Sequence, residues 1–477
     1  TQQTVERFVS RFGDKVSVTH SRLNDGERYD QWTRARLGEI SVMIGPRSAV
    51  FTPFENLGII IIDEEHETTY KTDQLSPKYD AREVAKKLSE LYKCTVVLGS
   101  ATPSVTSYYK AEKGEYNLCI LSNRVNHSFP DIEIVDMRAE LAKRNFSVFS
   151  EKLSRAIKNN IENKEQTILF LNRRGYSTFV SCRECGYVMT CKNCNVSYTY
   201  HKGINKLSCH YCGATVNVPA VCPSCGSKHI KYFGTGTEKI EQEVNKYFPE
   251  ARVLRMDLDT TQRKNSHQAI LDEFRRGKAD ILIGTQMIAK GLDFENVTLV
   301  GIIAADLSLN LGDYRSGETT YQLVSQVAGR AGRAEKKGKV YIQTYSPEHY
   351  SIRYAAKNDY AGFYNQEIEY RKSMVYPPFT NIFLIMFVGE NEGYIKQCLS
   401  DLLYVMKHYN KNNMFTHLGP SPAVISKINN NYRWQLIVKC ENEEKLRNYV
   451  LFCLNKLKQN VNLKNISIHL NLNPNYM

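Results

Sequence analysis

Through the first 118 residues, segments with helical spacing of apolar positions alternate with short apolar runs, the pattern of an α/β domain. The opening TQQTVERFVSRFG reads as the middle of a helix, and residues 31–38 lead to a strand over 39–44. Four consecutive isoleucines, Ile59, Ile60, Ile61 and Ile62, predict a strand covered on both faces, as in a parallel sheet. An amphipathic helix begins near Asp80, and a second apolar strand covers 94–98. From 116 to 149 the periodicity weakens, which predicts a linker with a short strand at 132–135. A second α/β unit starts with a helix over 150–163, a strand over 167–172 and the closing turn Arg173-Arg174-Gly175. It resumes after a cysteine-rich interruption with a helix at GTGTEKIEQEV and a strand at ARVLRMD that carries Asp257 at its tip. Buried strands over 281–284 and 297–304 and a helix at TTYQLVSQVAGRAGR complete it. Beyond Pro377-Pro378 the order is β-α-β-β-α-β: strand 381–388, helix 394–409, strands near 415 and over 434–439, helix 444–457, strand 466–472. That order suggests a ferredoxin-like split β-α-β domain.

At 477 residues the chain is too long for one core, and 42% hydrophobic with 24% charged residues supplies several. The expected division is 1–118 for the first α/β unit, 119–178 for a linker and the start of the second, 179–231 for the cysteine-rich module, 232–371 for the rest of the second unit, and 372–477 for the C-terminal domain. A net charge of +13 and a pI near 9.0 imply a polyanionic partner, with nucleic acid first; a basic solvated surface is the plainer reading. No apolar run reaches the 18 or so residues a membrane helix needs, and no signal peptide is present, so no membrane association is expected. Of 13 cysteines, eight form Cys-x-x-Cys pairs, which points to metal binding in a reducing cytosol and hence a cytoplasmic location.

Those pairs are Cys182 and Cys185, Cys191 and Cys194, Cys209 and Cys212, and Cys222 and Cys225. They can furnish two tetrahedral four-thiolate zinc sites. The fourteen residues between the inner pairs approximate a zinc-ribbon hairpin, so Cys191, Cys194, Cys209 and Cys212 would share one ion. The outer Cys182, Cys185, Cys222 and Cys225 would share the other; consecutive pairing ranks second. Between 179 and 231 six Lys or Arg face one acid, with Tyr187, Tyr198, Tyr200 and Tyr211 interleaved. The tyrosines could stack on single-stranded or forked nucleic acid, or pack a small core. In the C-terminal domain Lys427, Tyr432, Arg433 and Trp434 could dock nucleic acid, or Trp434 could be core.

Ligand sites of parallel sheets lie beyond the carboxyl ends of the strands, where Asp63, Glu64, Glu65 and His66 follow the isoleucines. Asp63 is placed to hold magnesium through water, and Glu64 to orient and deprotonate an attacking water. A charged turn after a core strand is the alternative. GSATPS, about 35 residues on, puts Ser100 and Thr102 at what should be a neighbouring strand end. Arg330 and Arg333 are three apart, hence on one helical face, with glycines beside them, and two planar cations so placed suit a triphosphate.

DEEH, GSATPS, IGTQMIAKGLDF and QVAGRAGR, in this order on two α/β units, resemble the motifs of superfamily 2 helicases. With the eight-cysteine insertion ahead of GTGTE, and with LFLNRRGYS, VYPPF and GPSPAVISKINNNYRWQL, the chain resembles the primosomal protein N′ family of replication-restart helicases. The resemblance implies an α/β fold of two RecA-like helicase lobes, the first incomplete, with an inserted two-zinc module and a C-terminal α+β ferredoxin-like domain. It implies that Asp63 and Glu64 are the magnesium and water-activating acids, and that Glu65 with His66 links them to DNA binding. Ser100 and Thr102 would couple the sites, Gly284, Thr285 and Gln286 would contact the strand, and Gln326, Gly329, Arg330 and Arg333 would sense phosphate. The loop over 70–79 is similar to the family's aromatic-rich loop. The activity implied is ATP-dependent 3′ to 5′ DNA unwinding at stalled forks with primosome assembly, using two structural Zn2+ and Mg2+ with ATP. The implied partners are forked and single-stranded DNA, single-strand DNA-binding protein, other primosome proteins and the replicative helicase loader, with the protein itself a monomer. The family's phosphate-binding loop would lie upstream of Thr1, and no GxxxxGK[ST] occurs in the sequence. The chain is therefore expected to be part of a longer helicase and, taken alone, a zinc-dependent DNA- or protein-binding scaffold without ATP hydrolysis.

Overall fold

The computed structural model describes every residue except 1, 21–22, 74–76, 122–128, 173–178, 202–204, 234–235, 258–259, 262–265, 290–293 and 333–337. The expected turn Arg173-Arg174-Gly175, the middle of the 70–79 loop and Arg333 lie outside the described residues. The chain divides into two units, Thr1–Tyr116 and Asn117–Met477.

In the first unit two parallel pairs form. Val16–Val18 pairs with Val42–Ile44, and Ile59–Asp63 with Thr95–Gly99. The helix Asp25–Arg36 starts at a reciprocal capping box between Asn24 and Glu27. Ala81–Tyr92 starts at Asp80, whose side chain accepts from the Arg82 N–H. The isoleucine strand corrects the expectation of two covered faces: Ile62 is 4% exposed, but Ile59 is 53% and Ile61 61% exposed. The physical reason is the sheet. Successive side chains of a β-strand point to opposite faces, so Ile59 and Ile61 share the face that stays exposed while Ile62 is on the buried one.

The second unit is built on six parallel strands in the spatial order Val253–Met256, Ile281–Gly284, Gln166–Phe170, Val297–Ile302, Lys339–Thr344, Asp131–Asp136. Here both faces are covered. Ile168, Leu169, Ile281, Leu282, Ile283 and Val300 are each at most 1% exposed, each contributing ~1.5–3 kcal/mol by burial. The strand expected inside a linker, Asp131–Asp136, is the edge of this sheet. It runs into the helix Met137–Ala142, which Asp136 caps by accepting from the Arg138 N–H. The strand expected at 132–135 is therefore present, and it belongs to the second unit's sheet.

The cysteine module leaves and rejoins this unit through an antiparallel stem, Phe179–Cys182 with Ile230–Phe233. Its interior sheet has the order Thr215–Asn217, Lys206–Ser208, Thr199–His201. Tyr198 and Tyr211 are 6% and 0% exposed, and Tyr187 and Tyr200 pack against the same cluster. The first two are thus core residues, as the packing alternative held.

The C-terminal domain has the strands Asn381–Gly389, Thr416–Ile428, Asn431–Cys440 and Ser467–Leu472, in the antiparallel order second, third, first, fourth. Helices Glu392–Tyr409 and Glu443–Asn460 pack on the sheet. This is the ferredoxin-like arrangement. Among the described residues no helix is long and apolar enough to cross a membrane.

Candidate nucleotide and zinc sites

The parallel register pairs Asp63 with Gly99, so the two polar strand ends emerge side by side. After Asp63 the chain reverses at Glu64, whose φ of 49° is left-handed, and the Glu65 N–H returns to the Gly99 carbonyl, 3.0 Å away. Asp63 accepts from the Glu64 N–H at 3.0 Å, and the Tyr70 hydroxyl donates to the Asp63 carbonyl at 2.6 Å. Burial raises the Tyr70 phenol, which keeps it a donor. His66 Nδ1 lies 2.7 Å from Ser100 Oγ, and the same hydroxyl accepts from the Thr102 N–H at 3.0 Å. Thr102 is buried beside it.

Glu65, unlike Asp63 and Glu64, is 1% exposed. Its carboxylate accepts from the Ser104 N–H at 2.5 Å and the Ser107 Oγ at 2.9 Å, at the amino end of the helix Val105–Glu112, where a negative charge is favoured. Its carbonyl accepts from Arg82 Nη1 at 2.7 Å, and the rest of that guanidinium forks onto Asp80. Burial opposes ionisation of Asp80, yet the Arg82 fork holds its carboxyl below the usual carboxylate range. Asp63 is exposed, whereas Glu64 is half-buried, with its Oε2 out of solvent 3.6 Å from His66 Nδ1. The first unit therefore brings Asp63, Glu64, Glu65, His66, Ser100 and Thr102 together, with Glu65 turned into the fold.

In the second unit Thr285 follows the strand Ile281–Gly284, and Gln286 Nε2 donates to Asn172 Oδ1 of the neighbouring strand end at 3.2 Å. Gln326 lies on the helix Ser316–Ala328, but that helix ends before the arginines. Gly329 is its cap, the Arg330 N–H turns back to the Val327 carbonyl, and Gly332 at φ 68° sends its N–H to Val297. Arg330 is thus not on the helix expected for it: its N–H reaches back three residues in a tightened turn past the helix end, while Arg333 lies outside the described residues. That turn is anchored at the amino edge of the sheet, whereas Thr285 is at the carboxyl edge.

The eight module cysteines gather as Cys182, Cys185, Cys222 and Cys225, and as Cys191, Cys194, Cys209 and Cys212, with the Sγ atoms of each set within 4.8 Å of one another. Cys182 and Cys225 are 3.7 Å apart, Cys185 and Cys222 3.6 Å, and Cys191 and Cys212 3.6 Å. Four thiolates ~2.3 Å from a tetrahedral zinc ion lie about 3.8 Å apart, so the donor sets fit that ion in the nested pairing. All four knuckles share one turn. The N–H groups of Gly186, Asn195, Gly213 and Gly226 return to the carbonyls of Cys182, Cys191, Cys209 and Cys222 at 2.8–3.0 Å, each with positive φ. The residue after each second cysteine was the signal passed over in the sequence, since only Gly and Asn enter that conformation readily.

The model described as "Primosomal protein N C-terminal domain" matches residues 372–475, "Helicase conserved C-terminal domain" matches 226–335, and "PriA DNA helicase Cys-rich region (CRR) domain" matches 191–216. The chain is 48% identical over 481 residues to Replication restart protein PriA of Bacillus subtilis (strain 168), a match covering 100% of this chain and 59% of that protein. It is 46% identical to the Synechocystis sp. protein of the same name, over 92% of this chain and 54% of the relative. It therefore spans between 54% and 59% of the length of these two relatives. The Rickettsia felis protein of that name is 38% identical, over 96% of this chain and 70% of its own length. At this identity over nearly all of its length, with a helicase lobe, a cysteine-rich region and a C-terminal domain in the same order, the chain belongs to the PriA family of replication restart proteins.

Proposed function

We propose that the complete protein is an ATP-dependent 3′ to 5′ DNA helicase that recognises stalled or branched forks and starts primosome assembly. The observation that carries this is the adjacency of two strand ends in the first unit, one bearing Asp63, Glu64 and His66 and the other Ser100 and Thr102, in a chain of this family. Magnesium held through water by Asp63 would supply charge neutralisation on the ATP phosphates. Glu64, half-buried and set by its left-handed backbone, orients and deprotonates the attacking water. His66 reports the state of the acids to Ser100 through their contact, and Glu65 holds the turn against the helix Val105–Glu112. Gln326, Gly329, Arg330 and Arg333 sense phosphate, Arg330 and Arg333 as cations, and Thr285 contacts the strand. The +13 charge favours forked and single-stranded DNA as substrate. Single-strand DNA-binding protein, other primosome proteins and the replicative helicase loader are the protein partners proposed.

The test is ATP hydrolysis and unwinding by the complete protein, with and without forked DNA and with either a 3′ or a 5′ single-stranded tail. Hydrolysis stimulated by the fork, with unwinding from the 3′-tailed substrate alone, is expected. Turnover indifferent to DNA, or unwinding from the 5′ tail, would overturn the reading.

A further inference from the structure

The two four-cysteine sites hold different neighbours. In the inner site His210 lies between Cys209 and Cys212, and its carbonyl accepts two hydrogen bonds from the C-terminal domain, from Ser421 Oγ at 2.6 Å and Gln435 Nε2 at 2.8 Å. Ser421 and Gln435 are cross-strand partners in one hairpin, 0% and 1% exposed. Across the same knuckle His210 Nδ1 donates to the Pro422 carbonyl at 2.9 Å. The left-handed Gly213 lies so close that a Cβ there would stand 3.2 Å from the Pro420 carbonyl oxygen. The other inner knuckle accepts from Tyr376 of the C-terminal domain, whose hydroxyl donates to the Cys194 carbonyl at 2.8 Å, and from Tyr370 on the preceding helix Tyr360–Ser373, whose hydroxyl donates to the Asn195 carbonyl at 3.2 Å.

The inner hairpin also touches the lobe, through the Tyr314 N–H to the Tyr211 hydroxyl at 3.2 Å and Ser197 Oγ to Asn310 Oδ1 at 2.9 Å, and the outer site's knuckle contacts lie on the lobe. Gly186 is against the Tyr345 carbonyl, where a Cβ would come within 2.2 Å. Arg138 Nη1 donates to the Cys185 carbonyl at 3.5 Å, and the Arg183 guanidinium lies over the Tyr345 ring. Arg138 and Tyr345 both belong to the six-stranded unit, each just past the end of one of its strands.

We propose that the inner zinc site is the seat of the C-terminal domain, while the outer site fastens the insertion to the helicase lobe. The physical basis is the direction of main-chain carbonyls. Those of Cys194, Asn195 and His210 point outward because the Asn195 and Gly213 N–H groups fold back onto Cys191 and Cys209. Zinc held by Cys191, Cys194, Cys209 and Cys212 would tie the two knuckles together and so keep those turns in place. Without it the carbonyls lose their fixed aim, and Ser421 and Gln435 become buried donors without an acceptor, which the docked state cannot tolerate.

The experiment uses the complete protein with Cys212→Ser in the inner site and Cys225→Ser in the outer, read by zinc content and by hydrogen exchange of the C-terminal domain. Each variant is expected to lose one of two zinc ions. Exchange in the strands Thr416–Ile428 and Asn431–Cys440 rises about tenfold or more in Cys212→Ser and stays within about twofold of the parent in Cys225→Ser. Equal exchange in both variants, or no change in either, overturns the proposal. A third variant, Ser421→Ala with Gln435→Leu, keeps both zinc ions and removes the two donors. Rapid exchange of the same strands with full zinc content supports the proposal, and unchanged protection overturns it. Should Cys212→Ser not accumulate, stepwise chelation of the parent takes its place: loss of C-terminal protection must track the departure of one zinc ion, and protection that survives complete zinc removal overturns the proposal.

Discussion

His66 Nδ1 lies 2.7 Å from Ser100 Oγ, a hydrogen bond that spans 34 positions and joins the turn after one parallel strand to the turn after its neighbour. The hydroxyl also accepts from the Thr102 N–H, so Ser100 fixes both the imidazole and the start of its own turn. Replacing it with alanine removes two partly buried hydrogen bonds, worth ~1 kcal/mol each. The expected outcome for Ser100→Ala in the complete protein is a small loss of stability and a large loss of DNA stimulation, with basal ATP hydrolysis nearly retained. Steady-state hydrolysis with and without forked DNA measures the ratio; a variant stimulated as strongly as the parent would show that this contact carries no coupling.

Glu64 is set apart from Asp63 by its left-handed backbone and from the fully buried Glu65 by being only half-buried. Glu64→Gln keeps the size and the turn while removing the base. Turnover should fall about a hundredfold or more with ATP affinity nearly unchanged, the signature of a lost proton acceptor. The decisive measurement pairs equilibrium ATP binding with single-turnover hydrolysis, and an unaltered rate excludes Glu64 as the base.

How much of this could be read in the amino acids depends on the range of the interaction that decides it. The cysteine pairs and the ferredoxin-like order were legible because each rests on spacing within one segment. The isoleucine strand misled, since a continuous apolar run says what a face could bury, not which neighbours cover it, and Ile59 and Ile61 stay exposed. The arginines misled for a local reason. A three-residue spacing implies a shared face only inside a helix, and that helix ends at Ala328, before Arg330. Burial of Glu65 was invisible because its partners Ser104 and Ser107 lie about 40 positions away on another element.

Arg371 is 1% exposed and forms the centre of an ion cluster. Its Nη2 donates to Glu318 Oε2 at 2.6 Å and its Nε to Glu367 Oε1 at 2.8 Å, while the Tyr350 hydroxyl donates to Glu367. Burial pushes the Glu367 carboxyl up, opposed by the guanidinium. Removing the cation leaves two carboxylates buried without it, so Arg371→Met should cost ~3–5 kcal/mol. Adding Glu318→Gln and Glu367→Gln should recover part of that loss by removing the uncompensated charge. Chemical denaturation of the three proteins checks this, and a triple variant no more stable than Arg371→Met would show that packing, not charge, sets the cost.

His349 gives a pH dependence of defined sign. Its imidazole accepts from the Ser351 N–H at 3.3 Å, which caps the helix Tyr350–Ala356, and it stacks on Tyr350 with centroids 4.5 Å apart. Burial pushes it from the usual 6.5 down to about 4. The folded chain thus refuses a proton that the unfolded chain accepts between those two values, and stability falls as pH drops through that window, by at most ~1.4 kcal/mol per pH unit for this group. Above pH ~6.5 the contribution is flat, because both states are neutral. Asparagine at 349 keeps a cap acceptor and cannot titrate. His349→Asn should therefore melt close to the parent at pH 7.5 and gain on it steadily toward pH 4.5. Melting curves across that range give the difference directly: one that grows as pH falls assigns the acid loss to His349, and a constant offset assigns it elsewhere.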